Sequence, residues 1–157
     1  MTTGKPLRVL VVCLGNICRS PMGEAVLKHI ASQRGIDIAV DSCGTAGYHV
    51  GEDPDSRTVE VCKKNNVPIS HQARQLSVSD FKDFTHILAS DASNLGDIDR
   101  RKPANTTADI RLWGSYLDGK PIPDPYYGGK DGFNKVYQQC VALSNAFLDE
   151  VTGNRTV

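Results

Sequence analysis

The chain is expected to fold as an α/β domain, a four-stranded parallel sheet flanked by helices, with an anion-binding loop between the first strand and the first helix. Three observations lead there. Strand-like apolar runs alternate with segments of helical periodicity along the chain. The first run, Leu7-Arg8-Val9-Leu10-Val11-Val12, is mostly apolar and β-branched, as suits a buried strand. It continues through Cys13 and a short loop into Ser20-Pro21, a helix-start signal: a hydroxyl for the N-cap, then a proline whose missing N–H costs nothing in the first turn. Parallel strands joined by helices use right-handed crossovers, and ligands in such folds bind beyond the carboxyl ends of the strands. Cys13 lies at such an end.

The remaining elements follow in order. Met22, Ala25, Val26, His29 and Ile30 recur at helical spacing, and Gly35 closes that helix. Ile36 to Ser42 reads as the second strand. Asp55 to Asn66 reads as a helix carrying Val59, Val61 and Cys62, with Pro68 just beyond its end. Ser79 to Phe84 is a short helical turn, His86 to Ala89 the third strand, Asp91 to Arg100 a helix, and Ala108 to Leu112 the fourth strand. Phe133, Val136, Tyr137, Cys140, Ser144, Phe147 and Val151 define the longest amphipathic helix, which should seal one face of the sheet. The stretch from Asn105 to Pro123 is the most irregular and delivers Asp124 to the surface. With no repeat or low-complexity tract, residues 1–157 read as one domain.

Composition narrows the function classes. Lysine plus arginine equals aspartate plus glutamate at 18 each, so no net charge draws the chain to nucleic acid or acidic lipid. No apolar run approaches membrane-spanning length, and Met1 to Pro6 leads into a strand without signal-peptide architecture. Five cysteines, an odd number at low density, point to a reducing compartment, so a cytoplasmic location is expected. His29, His49 and His86 lack metal-ligand spacing and no Cys-x2-Cys occurs, so neither a metal nor a cofactor is expected.

Cys13, five intervening residues and then Arg19 carry the chemistry. Backbone N–H groups of a loop entering a helix, together with the helix dipole, form an anion-binding concavity. The same field stabilises a thiolate over a thiol and makes Cys13 a nucleophile. Arg19 adds a planar, permanently charged fork suited to phosphate oxygens. Nucleophile, cradle and clamp lie within eight residues, which points to phosphoryl transfer. The nucleotide-binding loop Gly-x4-Gly-Lys-Ser/Thr is absent.

Val12-Cys13-Leu14-Gly15-Asn16-Ile17-Cys18-Arg19-Ser20-Pro21, with Asp124-Pro125-Tyr126-Tyr127 far downstream, resembles the low-molecular-weight protein tyrosine phosphatases. The likeness extends through Asp41-Ser42, His71 to Gln75 and Ser90 to Leu95, and covers the chain from about Leu7 to Val151. It implies a small four-stranded parallel sheet whose first strand-to-helix turn is the phosphatase loop. It also implies hydrolysis of phosphotyrosine and aryl phosphate monoesters through a cysteinyl-phosphate, with phosphotyrosine-containing proteins as partners and phosphate as product. A monomer or weak homodimer is expected.

Transferred onto this chain, the resemblance makes Cys13 the nucleophile and Arg19 the clamp. Leu14, Gly15, Asn16, Ile17 and Cys18 become the cradle. Asp124, held extended by Pro123 and Pro125, becomes general acid and then base. Tyr48, Tyr126 and Tyr127 are placed around the mouth, where aromatic walls favour the longer phosphotyrosine over phosphoserine. Ser20 serves either as N-cap or as a donor to the Cys13 thiolate. Asn16 tolerates a left-handed backbone and shapes the loop, braced by His71. Asp91 is either an N-cap or the partner of Arg19.

Two rival readings use the same loop. A thiol-redox arsenate reductase of this fold needs further cysteines near the loop, yet Ser79 to Gly96 contains none and Cys43, Cys62 and Cys140 are scattered. A phosphotyrosine-binding module would have lost the nucleophile or the acid, and both are present. Cys18, five residues after Cys13 in a loop that must fold back on itself, should approach the nucleophile. Reversible oxidation to a Cys13–Cys18 disulfide is therefore expected, and paired cysteines in the family imply the same.

Overall fold

The computed structural model describes residues 6–126 and 128–153, so the position expected of Tyr127 lies outside the described residues. The strands are β1 (Leu7–Cys13), β2 (Ile38–Gly44), β3 (His86–Ala89) and β4 (Asp109–Leu112). The helices are α1 (Arg19–Gln33), α2 (Ser56–Lys64), α3 (Asp80–Asp83), α4 (Ala92–Arg101) and α5 (Lys130–Thr152). All strand pairs are parallel, in the order β2-β1-β3-β4. The chain leaves β1 for β2 on one side and returns to β3 on the other, so β1 ends at the point where the winding reverses. Cys13 is its last residue.

The alternation along β1 builds two cores. Val9 and Val11 face Met22 and Leu27 of α1, Cys62 of α2, and Phe133, Leu143 and Phe147 of α5. Leu10 and Val12 face Phe81, Phe84 and Ile98 on the opposite side. All four are completely buried, which is why the strand is apolar without polar alternation. Full burial of each such side chain stabilises by roughly 1.5–3 kcal/mol, so Cys13 ends a firmly packed central strand. Among the described residues, no helix is long and apolar enough to cross a membrane.

Most elements match the sequence reading within two residues, and the departures have local causes. Helix α1 begins at Arg19, not after Ser20; its N-cap is Cys18, with no side-chain cap. Ser20 is therefore not the N-cap, because its hydroxyl turns back to Cys13. Pro21 is accommodated because the first four helical N–H groups have no intrahelical partner in any case. Strand β2 starts at Ile38 rather than Ile36, because the Ile36 N–H closes the end of α1 on the Ala31 carbonyl (2.8 Å) beside left-handed Gly35. It runs on to Gly44, which pairs with Cys13. A Cβ on Gly44 would lie 2.6 Å from the Leu14 carbonyl oxygen, so only glycine lets the loop pack against β2. A 3-10 turn at Trp113–Tyr116 interrupts the stretch that read as irregular.

Candidate active site

The loop after β1 is held from outside by its carbonyls. Thr45 N–H donates to Cys13 O (2.9 Å), Ala46 N–H to Leu14 O (3.0 Å) and Asp55 N–H to Ile17 O (2.8 Å). Cys18 O accepts from Thr58 Oγ1 at 3.3 Å. In a planar trans peptide the following N–H points opposite to the carbonyl. Turning these four carbonyls outward therefore turns the N–H groups of Leu14, Gly15, Cys18 and Arg19 toward the concave side. Asn16 N–H donates to Cys13 Sγ at 3.2 Å, and the Ser20 hydroxyl lies 3.0 Å from the same sulfur. Ser20 Oγ accepts from Asn16 Nδ2 (2.8 Å), and its own hydrogen is shared between the sulfur at 3.0 Å and the more distant Cys43 carbonyl at 3.4 Å. Of the two roles open to Ser20, the structure selects the contact with Cys13.

Asn16 is the centre of the brace. Its backbone is left-handed at φ 59°, one of two positive-φ non-glycine residues among those described. Its side chain uses every group it has. Nδ2 donates to Ser20 Oγ and, at 3.0 Å, to Ser42 Oγ, while Oδ1 accepts from His71 Nε2 (2.7 Å) and from Arg74 N–H (3.0 Å). Behind it, Ser42 Oγ donates to Glu24 Oε1 at 2.7 Å, and His71 Nδ1 lies 3.1 Å from the same oxygen and 3.7 Å from Asp41 Oδ1. Burial of Glu24 raises its pKa, and the hydrogen bonds from His71 and Ser42 outweigh that, leaving it below the usual carboxylate range. Arg74 forks onto buried Asp80 (3.0 Å to each oxygen) and reaches Asp41 (3.1 Å). Ligand atoms of Glu24, Asp41 and His71 lie within 4.8 Å of one another, a spacing open to a cation. These atoms are already engaged by His71, Ser42 and Arg74, so their chemistry fits a hydrogen-bonded brace rather than a metal site.

On the open side, Arg19 Nη1 donates to Asp91 Oδ2 (2.6 Å) and to Ile122 O (3.1 Å), and Nη2 lies 3.8 Å from Asp124 Oδ2. Asp91 does both things proposed for it: its other oxygen caps α4 through Asn94 N–H at 2.8 Å. The cleft encloses about 140 Å³ and is lined by Cys13 to Arg19, Tyr48, His49, Asp124 and Tyr126. Tyr48 is 75% exposed and Tyr126 38% exposed, so both form a rim rather than a buried wall.

The sequence model of the family described as low molecular weight phosphotyrosine protein phosphatase matches residues 8–157. This chain belongs to that family. Its namesake from Schizosaccharomyces pombe is 49% identical over 153 residues, covering 94% of this chain and 98% of that protein. The namesake from Homo sapiens is 46% identical, covering 90% of this chain and 94% of that protein. A protein tyrosine phosphatase from Entamoeba histolytica, solved with Hepes in its active site, superposes with a TM-score of 0.87 at 34% identity, covering 95% of this chain and 99% of that one.

Contacts in the structure bring in residues that sequence reasoning missed. Glu24, Asp80, His49, Asp55 and Arg57 were not singled out, although each touches the loop, its brace or the rim. Glu24 sits on a stretch of α1 that is buried on every side from Arg19 to Leu27, so no periodicity marks it. His49 lines the mouth, its Nδ1 3.0 Å from Glu52 Oε2. Cys18 is buried, and burial, then the Asp55 carboxylate, push its thiol up to about 12.

The lowered Glu24 pKa makes a stability contribution with a definite sign. It is fully present above the unfolded-state value, near 4.3, and is lost as pH falls through the lower folded value. Glu24→Gln is expected to cost about 1–3 kcal/mol at neutral pH and to flatten the stability profile below about pH 4.5. Urea unfolding across pH reads both effects; a variant profile parallel to the parent's in acid would contradict the assignment.

Proposed function

We propose that the protein hydrolyses phosphotyrosine and other aryl phosphate monoesters through a cysteinyl-phosphate, with Cys13 as nucleophile and Asp124 as general acid and base. The observation that carries this is the convergence on one small cleft of a sulfur 3.2 Å from the Asn16 N–H and 3.0 Å from the Ser20 hydroxyl, a loop whose carbonyls are bonded to neighbouring segments, and a guanidinium beside a carboxylate. The Cys13 thiolate attacks phosphorus as the P–O bond to the phenol breaks, and protonated Asp124 gives its proton to the leaving oxygen. Asp124, now a carboxylate, takes a proton from water. That water attacks phosphorus, the S–P bond breaks, and phosphate leaves. Arg19 and the loop amides hold the equatorial oxygens throughout. Tyr48 and Tyr126 flank an aryl group, so a phosphoserine ester is too short to use the rim and reach the cradle together. An arsenate-reductase cycle is not favoured, since Cys43, Cys62 and Cys140 are all completely buried.

General acid catalysis contributes typically about 10²–10⁴-fold, and least where the leaving group is already good. Asp124→Ala is therefore expected to lower kcat/KM most for esters of basic phenols and least for esters of acidic ones, without any dependence on chelators. A leaving-group series with parent slope would remove Asp124 from the acid role, and activity lost to chelator and restored by a divalent ion would overturn the mechanism.

Redox control of the same site is also proposed. Peroxide oxidises the Cys13 thiolate to a sulfenic acid; the Cys18 sulfur then attacks it, forming the disulfide and releasing water. The raised pKa of Cys18 leaves Cys13 as the target of the first step. Inactivation by peroxide should reverse with thiol reductant in the parent and become largely irreversible in Cys18→Ser. Mass spectrometry showing Cys13 bonded to Cys43, Cys62 or Cys140, or only as sulfinic acid, would refute the pairing.

A further inference from the structure

Asp124 lies in a loop fixed on both sides by groups from elsewhere in the fold. Upstream, Ile122 is tied through its N–H to Ser90 O (2.8 Å) and through its carbonyl to Arg19. Downstream, the Tyr126 and Gly128 carbonyls accept from Arg57 at 3.1 and 3.3 Å. Arg57 is itself held. Its Nε and Nη2 donate to the two oxygens of Asp55, each at 3.0 Å, and its guanidinium stacks 4.4 Å from the centre of the Phe133 ring. It also lies 5.6 Å from the Tyr126 ring. Asp55 caps α2, and its N–H donates to Ile17 in the phosphate loop.

We propose that Arg57 is a positioning residue for the general acid, fixing the loop that carries Asp124 against the loop that carries Cys13. Arg57 does not line the cleft and touches no reacting atom. Its planar fork serves two partners at once: one edge grips Asp55 beneath the phosphate loop, and the remaining N–H groups reach two carbonyls of the acid loop. Lysine has the charge but not this geometry. The ends of the linkage are a carboxyl that must meet the leaving oxygen and a thiolate that must meet phosphorus on the opposite side. A displacement near 1 Å between such groups costs up to about 100-fold in rate. The aromatic contacts limit the freedom of the guanidinium, so holding the fork in place costs little additional side-chain entropy.

The inference rests on Asp124 being the general acid, and the test separates the two claims. In Arg57→Ala, kcat/KM for esters of basic phenols is expected to fall about 10- to 100-fold, while esters of strongly acidic phenols stay near parent rates. On an Asp124→Ala background, Arg57→Ala is expected to cost nothing further, because there is no acid left to position. Arg57→Lys, measured alongside and decisive if the alanine variant does not fold, is expected to steepen the leaving-group dependence part-way. Equal loss across all esters, no loss, or a full further loss on the Asp124→Ala background would overturn the proposal. A parent-like slope in Asp124→Ala itself would instead remove the acid role.

Discussion

The shape of the loop after β1 depends on one side-chain amide, that of Asn16, holding its own backbone in a left-handed conformation. For a residue with a Cβ that conformation costs roughly 1–2 kcal/mol. Four hydrogen bonds, at about 0.5–1.5 kcal/mol each, offset it. They come from α1 through Ser20, from β2 through Ser42, and from the segment carrying His71 and Arg74. The turn at Asn16 is what brings its N–H onto the Cys13 sulfur and lets the loop carbonyls face outward. The cradle is thus assembled before an anion arrives, and no dipole has to reorient as charge develops on phosphorus.

The fold supplies this loop with two kinds of support. Beneath it is the central strand of the sheet, with Val9 to Val12 buried on both faces. Around it are polar residues whose side chains each serve two tasks. Asp91 caps α4 with one oxygen and holds Arg19 with the other. Ser20 takes a hydrogen bond from Asn16 and faces the sulfur. Asp55 caps α2, anchors Ile17 through its N–H and grips Arg57. Double use concentrates the site's dependence on a few residues. Loss of any one of them is felt both in the stability of an element and in the aim of a reacting group.

The helices were legible from apolar periodicity and the strands from short apolar, β-branched runs, with terminators such as Gly35 after α1, Pro68 beyond α2 and Asp91 before α4. The proposed nucleophile, clamp and cradle can be picked out in the sequence because they are contiguous. The proposed acid, Asp124, can be picked out only through resemblance, since a lone Asp among prolines has no local signature. Glu24, Asp80 and Arg57 escaped notice because their roles arise from partners far away in the chain, such as Glu24 with His71 or Arg57 with Tyr126 and Gly128. Burial on all sides hides Glu24 further, and Asp-x-Arg at a helix start reads as ordinary capping. Ser20 stayed open between two roles because a hydroxyl before proline fits an N-cap as well as it fits a contact with Cys13, and only the fold decides for the sulfur.

The most direct measurement of the central claim is the affinity of Asn16→Gly for inorganic phosphate by calorimetry. Glycine adopts the left-handed backbone without strain, so this variant removes the brace while leaving the required conformation accessible. If the amide preorganises the cradle, phosphate binding should weaken about tenfold or more, a loss of at least about 1.4 kcal/mol, with the fold intact. Phosphate bound by a folded Asn16→Gly as tightly as by the parent would contradict the account.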